Sequence, residues 1–296
     1  MYHSKRKFHL LFGISASVTV YCINLMPHTI FLNKLEETVA FYRHGIRVRI
    51  NNEMKELCKE VMNDLQLPES TQSLIKPFHV FGFQPFHAGT LNKTFGGIIG
   101  IPINFLYKEP ADAAVEKLII NNKEFNKMRR EADNLYDSLI ISKDAKKYVI
   151  AREISKIIDN GVYVSGGGLS CIIFIMTSIY SNLVHKFNIY EKKASYRRTL
   201  YVFFILIGFV LWLVFKDVAH NRIENNIDEK IAKLGLNYIN GGKEYYEKEL
   251  QKNIALRSLM EEDGKKQYNA DGNEKHFWMH LSISLSERKR FFESKL

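Results

Sequence analysis

Three stretches of the chain stand out by their lack of charge. Residues 160–184 contain no Asp, Glu, Lys or Arg, and from Gly161 they read GVYVSGGGLSCIIFIMTSIYSNLV. A polar loop follows at residues 185–198 (HKFNIYEKKASYRR), and the chain returns through a second charge-free run at residues 199–215 (TLYVFFILIGFVLWLVF). Two runs this apolar, joined by a loop too short to hold a domain, predict a transmembrane hairpin rather than a helix pair in a soluble core. The second run, 17 residues long, would span about 26 Å as a helix against a hydrocarbon core of ~30 Å. Arg197, Arg198 and Lys216 flank it and can snorkel across the shortfall. The third stretch, residues 8–26 (FHLLFGISASVTVYCINLM), follows His3, Lys5, Arg6 and Lys7 and is closed by Pro27. It reads as an uncleaved anchor spanning about 8–27. A cleaved signal would carry small residues after the run, whereas Ser15-Ala16-Ser17 lies in its middle.

The flanking charge sets a topology. The N-terminal segment and residues 185–198, with Lys186, Lys192, Lys193, Arg197 and Arg198 against the single Glu191, belong on the positive side. Three spans put both there, so residues 35–159 and 216–296 share the opposite compartment. The expected organisation is an N-terminal segment and first span (1–34), the first part of a folded domain (35–159), the hairpin (160–215, with spans at about 161–184 and 199–215) and the second, helical part of that domain (216–296).

Periodicity fills in the polar segments. Residues 34–66 read as amphipathic helices, with Leu35, Val39 and Tyr42, then Met54, Leu57, Val61, Met62 and Leu65, as the apolar positions. Leu67-Pro68-Glu69-Ser70 breaks the pattern. From Lys76 the period becomes two, and Phe78, Val80, Phe81, Phe83 and Phe86 predict one strand closed by Pro85. Residues 95–106 (FGGIIGIPINFL) predict a second, its glycines marking a bulge or a close backbone approach. Asn121-Asn122-Lys123, between Leu118-Ile119-Ile120 and Glu124-Phe125, signals a hairpin. Helices are expected over 128–141 and over 142–159, the latter capped by Ser142 with Asp144 in its first turn. Further helices are expected over 217–239, ended by Asn240-Gly241-Gly242, over 243–260, and over 286–295, with turns at Asp263-Gly264 and Asp271-Gly272. The fold class is thus an α+β membrane protein: three transmembrane helices and one discontinuous, mainly helical domain with a small β-sheet.

Composition narrows the function classes. A quarter of the residues are charged, which fits a polar domain on few membrane helices better than a polytopic transporter. The net charge is +10, but the basic residues gather beside the apolar runs, where they serve topology and anionic lipid. No nucleic-acid motif is present, and nucleic acid is not an expected partner. Cys22, Cys58 and Cys171 show no CxxC or CxxxC spacing, which argues against a disulfide framework or a copper-carrying thiol pair. Gly166-Gly167-Gly168, with Ser165, Ser170 and Cys171, lies in an apolar run without a following Lys and reads as a small-residue face for helix packing. Gly96-Gly97 with Gly100 lacks the G-x-G-x-x-G spacing of a nucleotide loop. His276 and His280 are four apart, but two ligands do not make a metal site, and Phe277 and Trp278 suit an interfacial or core role. No serine or cysteine has the motif context of a nucleophile.

The most informative local motif is Ala151-Arg152-Glu153-Ile154-Ser155-Lys156. Residues 152 and 156 face the same way on a helix. In a zinc peptidase both would be His, bracketing the glutamate as in H-E-x-x-H. Beyond the hairpin, Glu224-Asn225-Asn226-Ile227-Asp228 has an E-x-x-x-D spacing. The order of motif helix, hairpin and E-x-x-x-D helix resembles the HtpX and CaaX-prenyl-protease superfamily, in which the downstream Glu is a zinc ligand. Arg152 and Lys156 replace both histidines here, and neither cation ligates zinc at neutral pH. Without metal there is no activated water for Glu153 to act on. The resemblance therefore implies a degenerate zinc-peptidase fold with no metal, cofactor or hydrolytic activity. Geometry adds the expectation that Glu224 pairs with Arg152 or Lys156 where the metal would sit. The competing expectation is that Arg152, Glu153 and Lys156 form an ordinary solvated helix face.

A second resemblance rests on stretches spread along the chain. They are residues 76–85 (KPFHVFGFQP), Gly100-Ile101-Pro102 with Phe105-Leu106, Ala151-Arg152-Glu153, residues 241–248 (GGKEYYEK), residues 253–259 (NIALRSL) and residues 263–268 (DGKKQY). Together, over about residues 70–275, they resemble the transmembrane protein 177 family of the mitochondrial inner membrane. What that implies is a non-enzymatic role in cytochrome c oxidase assembly. It would stabilise newly made subunit II and its membrane chaperone, in company with copper chaperones. The positive side would then be the matrix, and the folded domain would face the intermembrane space. The other expectations are a membrane metallopeptidase-like protein with an altered site, and a lipid-binding scaffold using Lys192, Lys193, Arg197 and Arg198.

Overall fold

The computed structural model describes residues 2–91, 95–115, 119–120, 123–124, 129–159, 161–275 and 283–296. Helix α1 (Tyr2–Leu25) is the first apolar run, and Pro27 sits in a single 3₁₀ turn, Met26–His28, where its missing N–H is tolerated. Helix α2 (Leu32–Val39) is short. Tyr42, expected on a helix, instead opens a two-stranded hairpin of β1 (Tyr42–Arg43) and β2 (Ile46–Arg47). His44 and Gly45 both have positive φ (52° and 76°), as a tight two-residue hairpin turn requires. Helix α3 (Asn52–Asp64) begins where Asn51 accepts a hydrogen bond from the Met54 N–H at 2.9 Å, and it buries Met54, Leu57, Cys58, Val61 and Met62. A single turn, α4 (Glu69–Gln72), follows Pro68.

The sheet differs from the expected pair of strands. The run read as one strand divides at Pro85 into β3 (Ile75–Val80) and β4 (Phe86–Thr90), and β5 (Gly96–Pro102) lies between them. β5 pairs parallel with β3 and antiparallel with β4, so Gly100 sits opposite both Phe78 and Phe86. Phe81, counted as a strand position, is 75% exposed beyond the end of β3. The close backbone approach expected from the glycines falls between β4 and β5: a Cβ on Gly89 would lie 2.4 Å from the Gly96 carbonyl oxygen. β5 continues into a 3₁₀ turn, Ile103–Leu106, rather than remaining extended to 106. Helix α5 (Pro110–Val115) was not anticipated; Asp112 Oδ2 accepts from the Lys108 and Glu109 N–H groups at 2.7 and 3.2 Å. β6 (Ile119–Ile120) and β7 (Lys123–Glu124) form the expected hairpin.

Helices α6 (Arg130–Leu139) and α7 (Lys143–Ile158) follow, and Ser142 caps α7 by accepting from the Ala145 N–H at 3.2 Å. Helix α8 (Gly161–Lys186) is the second span. Helix α9 (Ala194–Ala232) is longer than its apolar run: 39 residues, about 58 Å at 1.5 Å per residue. Span and following polar helix are therefore one rod. It stops at Gly235, whose φ of 131° is open to glycine alone, and not at Asn240-Gly241-Gly242. Those two glycines lie inside α10 (Leu236–Leu259). A Cβ on Gly241 would stand 2.2 Å from the Asp144 carbonyl oxygen, so the glycine allows α10 to touch the start of α7 rather than ending a helix. Asp263-Gly264, expected as a turn, lies in α11 (Glu261–Gln267). Helix α12 (Leu285–Glu293) carries a capping box between Ser284 and Glu287.

The core joins both sides of the hairpin. Val61 of α3, Ile101 of β5, Tyr148 and Ile154 of α7, Ile227 and Ile231 of α9, Tyr246 of α10 and Phe292 of α12 belong to one buried cluster. Residues before and after the membrane hairpin thus build a single domain, with α7 at its centre.

Candidate functional site

Helix α7 places Tyr148, Arg152 and Lys156 on one stripe, four residues apart, with Glu153 beside it. Beyond the membrane, α9 places Glu224 and Asp228 four residues apart on the face that meets α7. Arg288 reaches in from α12, Tyr246 from α10 and His87 from β4. These groups are interior: Glu153 is 2% exposed, Glu224 and Asp228 3% each, and Arg288 6%.

Each carboxylate is held at both oxygens. Glu224 Oε2 accepts from Arg152 Nη2 at 2.9 Å and Nε at 3.2 Å, and meets Arg288 Nη1 at 2.5 Å; its Oε1 meets Lys156 Nζ at 2.9 Å. Glu153 Oε1 lies 3.3 Å from Arg152 Nη1 and 3.4 Å from Lys156 Nζ, while its Oε2 is 2.7 Å from His87 Nδ1. Asp228 is gripped by the guanidinium fork of Arg288, with Nε and Nη2 each at 2.8 Å, and accepts from the Tyr148 hydroxyl at 2.7 Å. Tyr148 and Tyr246 share a 2.7 Å hydroxyl contact, and the Arg288 guanidinium stacks 4.7 Å above the Tyr246 ring. All six carboxylate oxygens therefore have a partner. The formal charges of Arg152, Lys156 and Arg288 offset those of Glu153, Glu224 and Asp228.

Ionisation follows from this packing. Burial alone would raise the Glu153 pKa, but the Lys156 charge, the His87 hydrogen bond and the Arg152 charge outweigh it and hold the carboxyl well below the usual range. Burial, and next the Asp228 charge, push the Tyr148 phenol well up, so it remains a donor to Asp228.

The structure thus brings together all five positions singled out in sequence: Arg152, Glu153, Lys156, Glu224 and Asp228. They are interior, not a solvated helix face. Glu224 meets both Arg152 and Lys156, and it also meets Arg288, which sequence reasoning missed. Among the described residues, no three His, Cys, Asp or Glu side chains converge as metal ligands. The pair His276 and His280 lies outside the described residues.

The glycines of α8 do not form one face. Successive residues are about 100° apart around a helix, and each glycine meets different surroundings. A Cβ on Gly166 would approach Asn24 of α1 at 3.3 Å, one on Gly168 would fall 1.9 Å from the Phe215 ring of α9, and one on Gly167 would meet nothing within 4 Å. The Ser170 hydroxyl donates back to the Gly166 carbonyl at 2.9 Å.

These features define a multi-pass membrane protein whose α+β domain is closed over the base of its hairpin by an internal ion cluster. The chain belongs to the family described as Transmembrane protein 177, whose model matches residues 83–283. It is 28% identical over 271 residues to Transmembrane protein 177 of Rattus norvegicus, covering 89% of this chain and 81% of the rat protein. Against the Xenopus laevis protein of that name it is 26% identical over 261 residues, covering 87% and 83% of the two chains. Against the Homo sapiens protein it is 27% identical over 236 residues, covering 79% and 74%. No solved structure matches the chain. The likeness to membrane zinc peptidases finds no support in these comparisons.

Proposed function

We propose that this chain is a non-enzymatic factor of the mitochondrial inner membrane that supports cytochrome c oxidase biogenesis. It stabilises newly made subunit II and the membrane chaperone of that subunit, in company with copper chaperones. Membership of the transmembrane protein 177 family supports the role. The observation that carries the non-catalytic reading is the saturation of the interior cluster. Each oxygen of Glu153, Glu224 and Asp228 is held by a cation, a histidine or a phenol, so none is offered to a substrate. The basic flanks support an N-terminus in the matrix and a domain in the intermembrane space.

The test is pulse-labelling of mitochondrial translation products in cells that lack the chain. Subunit II should be made at its normal rate and then lost faster than the other labelled products, with recovery on re-expression. An unchanged half-life of subunit II contradicts the proposal.

A further inference from the structure

Beyond the assembly role, the three membrane helices hold a second structured feature. Helix α8 packs along α1 on one side and along α9 on the other; a Cβ on Gly13 of α1 would meet the Thr177 side chain of α8, and one on Gly208 of α9 would meet Met176. Between α1 and α9, with α8 as its floor, lies an apolar groove of about 410 Å³ whose walls include Phe12 and Ala16, Ile173 and Met176, and Phe204 and Trp212.

The groove does not end blindly. At the basic side of the membrane it opens into a second cavity of about 490 Å³, and Phe12, Tyr180 and Tyr201 line both. The chemistry changes at this boundary: the outer cavity adds His9, Tyr190, Arg197 and Arg198. His9 is stacked on Tyr190 with ring centres 6.0 Å apart and meets the Tyr180 edge at 5.8 Å. Arg197 is anchored by donating to the Tyr190 carbonyl at 3.2 Å. Neither cavity has an Asp or Glu among its lining residues, and residues 185–198 hold five Lys or Arg against one Glu. An apolar slot at hydrocarbon depth that rises into a two-arginine, aromatic mouth at headgroup depth has the polarity profile of one anionic diacyl phospholipid.

We infer that the α1–α9 groove is a binding site for an anionic phospholipid, with acyl chain along Met176 and Trp212 and headgroup phosphate at Arg197 and Arg198. Charge complementarity at the mouth selects a lipid over an apolar helix of another protein, which would have no use for two arginines beside a tyrosine cluster.

The test is native mass spectrometry of the purified full chain in a neutral detergent, titrated with dioleoyl phosphatidylglycerol and dioleoyl phosphatidylcholine, which share acyl chains. Each basic side chain at a lipid surface contributes about fivefold, so two predict a preference of roughly 30-fold for phosphatidylglycerol. Arg197→Gln with Arg198→Gln should bring that ratio close to one. Ala16→Trp, which fills the slot, should weaken both lipids at least about tenfold, whereas Ile14→Trp, outside the lining, should not. The double variant should keep the parent's retention of phosphatidylcholine while losing its excess of phosphatidylglycerol, a pattern that a general loss of folding does not give. The inference is overturned by equal retention of the two lipids, by an unchanged ratio in the double variant, or by displacement with millimolar inorganic phosphate. A second copy of the chain crosslinked through Phe12 and Trp212 in the groove also overturns it.

Discussion

Arg152 and Glu224 are 72 residues apart in sequence, and the whole membrane hairpin lies between them. Even so, the Arg152 guanidinium donates to one Glu224 oxygen at 2.9 and 3.2 Å. Arg152 stands nine residues before Gly161, the first residue of α8, and Glu224 stands nine residues past Phe215, about 14 Å along a continuous helix. Because α9 is one rod from membrane to cluster, any tilt of the third span is transmitted to Glu224 and Asp228.

Removing an ion pair from this cluster should cost less than its two single removals added together. Glu224→Gln leaves three interior cations against two carboxylates, and breaking a buried pair in this way costs about 3–5 kcal/mol. Arg152→Met combined with Glu224→Met leaves Lys156 beside Glu153 and Arg288 beside Asp228. The double variant should lose less than the sum of the two singles, by about 0.5–3 kcal/mol. Chemical unfolding in detergent, followed by circular dichroism, measures Glu224→Gln, the two Met singles and the double.

Two glycines should respond very differently to the same change. Gly241→Ala drives a methyl group to 2.2 Å from a backbone carbonyl of α7, a clash that only movement of a whole helix relieves, at about 1–3 kcal/mol or more. Gly167→Ala meets open space and should change stability by less than about 0.5 kcal/mol. Melting temperatures of the two variants side by side decide the matter.

Acid should destabilise the domain through Glu153. Its folded pKa lies below its unfolded value of about 4.3, so the stability it contributes is complete above that value and is lost as pH falls toward the folded pKa. Unfolding free energy should therefore hold steady from neutrality to about pH 5 with respect to this group, then fall. Glu153→Gln should start from a lower value at neutral pH and show a shallower acid limb. A limb of unchanged slope contradicts the assignment.

Cysteine labelling reports on the core. Cys58 is 1% exposed, and burial pushes its thiol up to about 12, so both access and thiolate formation oppose alkylation. In the folded chain at pH 8 it should resist iodoacetamide for as long as the domain stays closed, and it should react once denaturant opens α3. Mass spectrometry of digested protein locates the label.

Much of this was legible in the sequence. The three spans follow from charge-free length, and the meeting of Glu224 with Arg152 and Lys156 follows from i,i+4 spacing on two helices that a hairpin brings together. Arg288 was not legible, because Ser286-Glu287-Arg288-Lys289-Arg290 has the composition of a solvated helix and only tertiary packing turns Arg288 onto Glu224 and Asp228. Its one local signal is Phe292, four residues on and fully buried, which marks an inward face. Tyr148 and Tyr246 were similarly hidden, although Tyr148 shares the Arg152 stripe. Asn240-Gly241-Gly242 misled because local chemistry makes glycine a helix terminator, whereas here a neighbouring helix requires its missing side chain. Pro85 has the local chemistry of a strand end, whereas it divides two strands that β5 separates.

Protease protection tests the proposal that the domain, its two halves locked together by this cluster, faces the intermembrane space with the basic loop in the matrix. One tag would follow Leu296 and another would be placed within residues 191–195, in intact mitochondria and in mitoplasts. The account predicts that the C-terminal tag is cut only after the outer membrane is opened and that the loop tag stays protected. A loop tag that is cut in mitoplasts while the C-terminal tag survives would contradict it, and would place the ion cluster and the whole domain in the matrix.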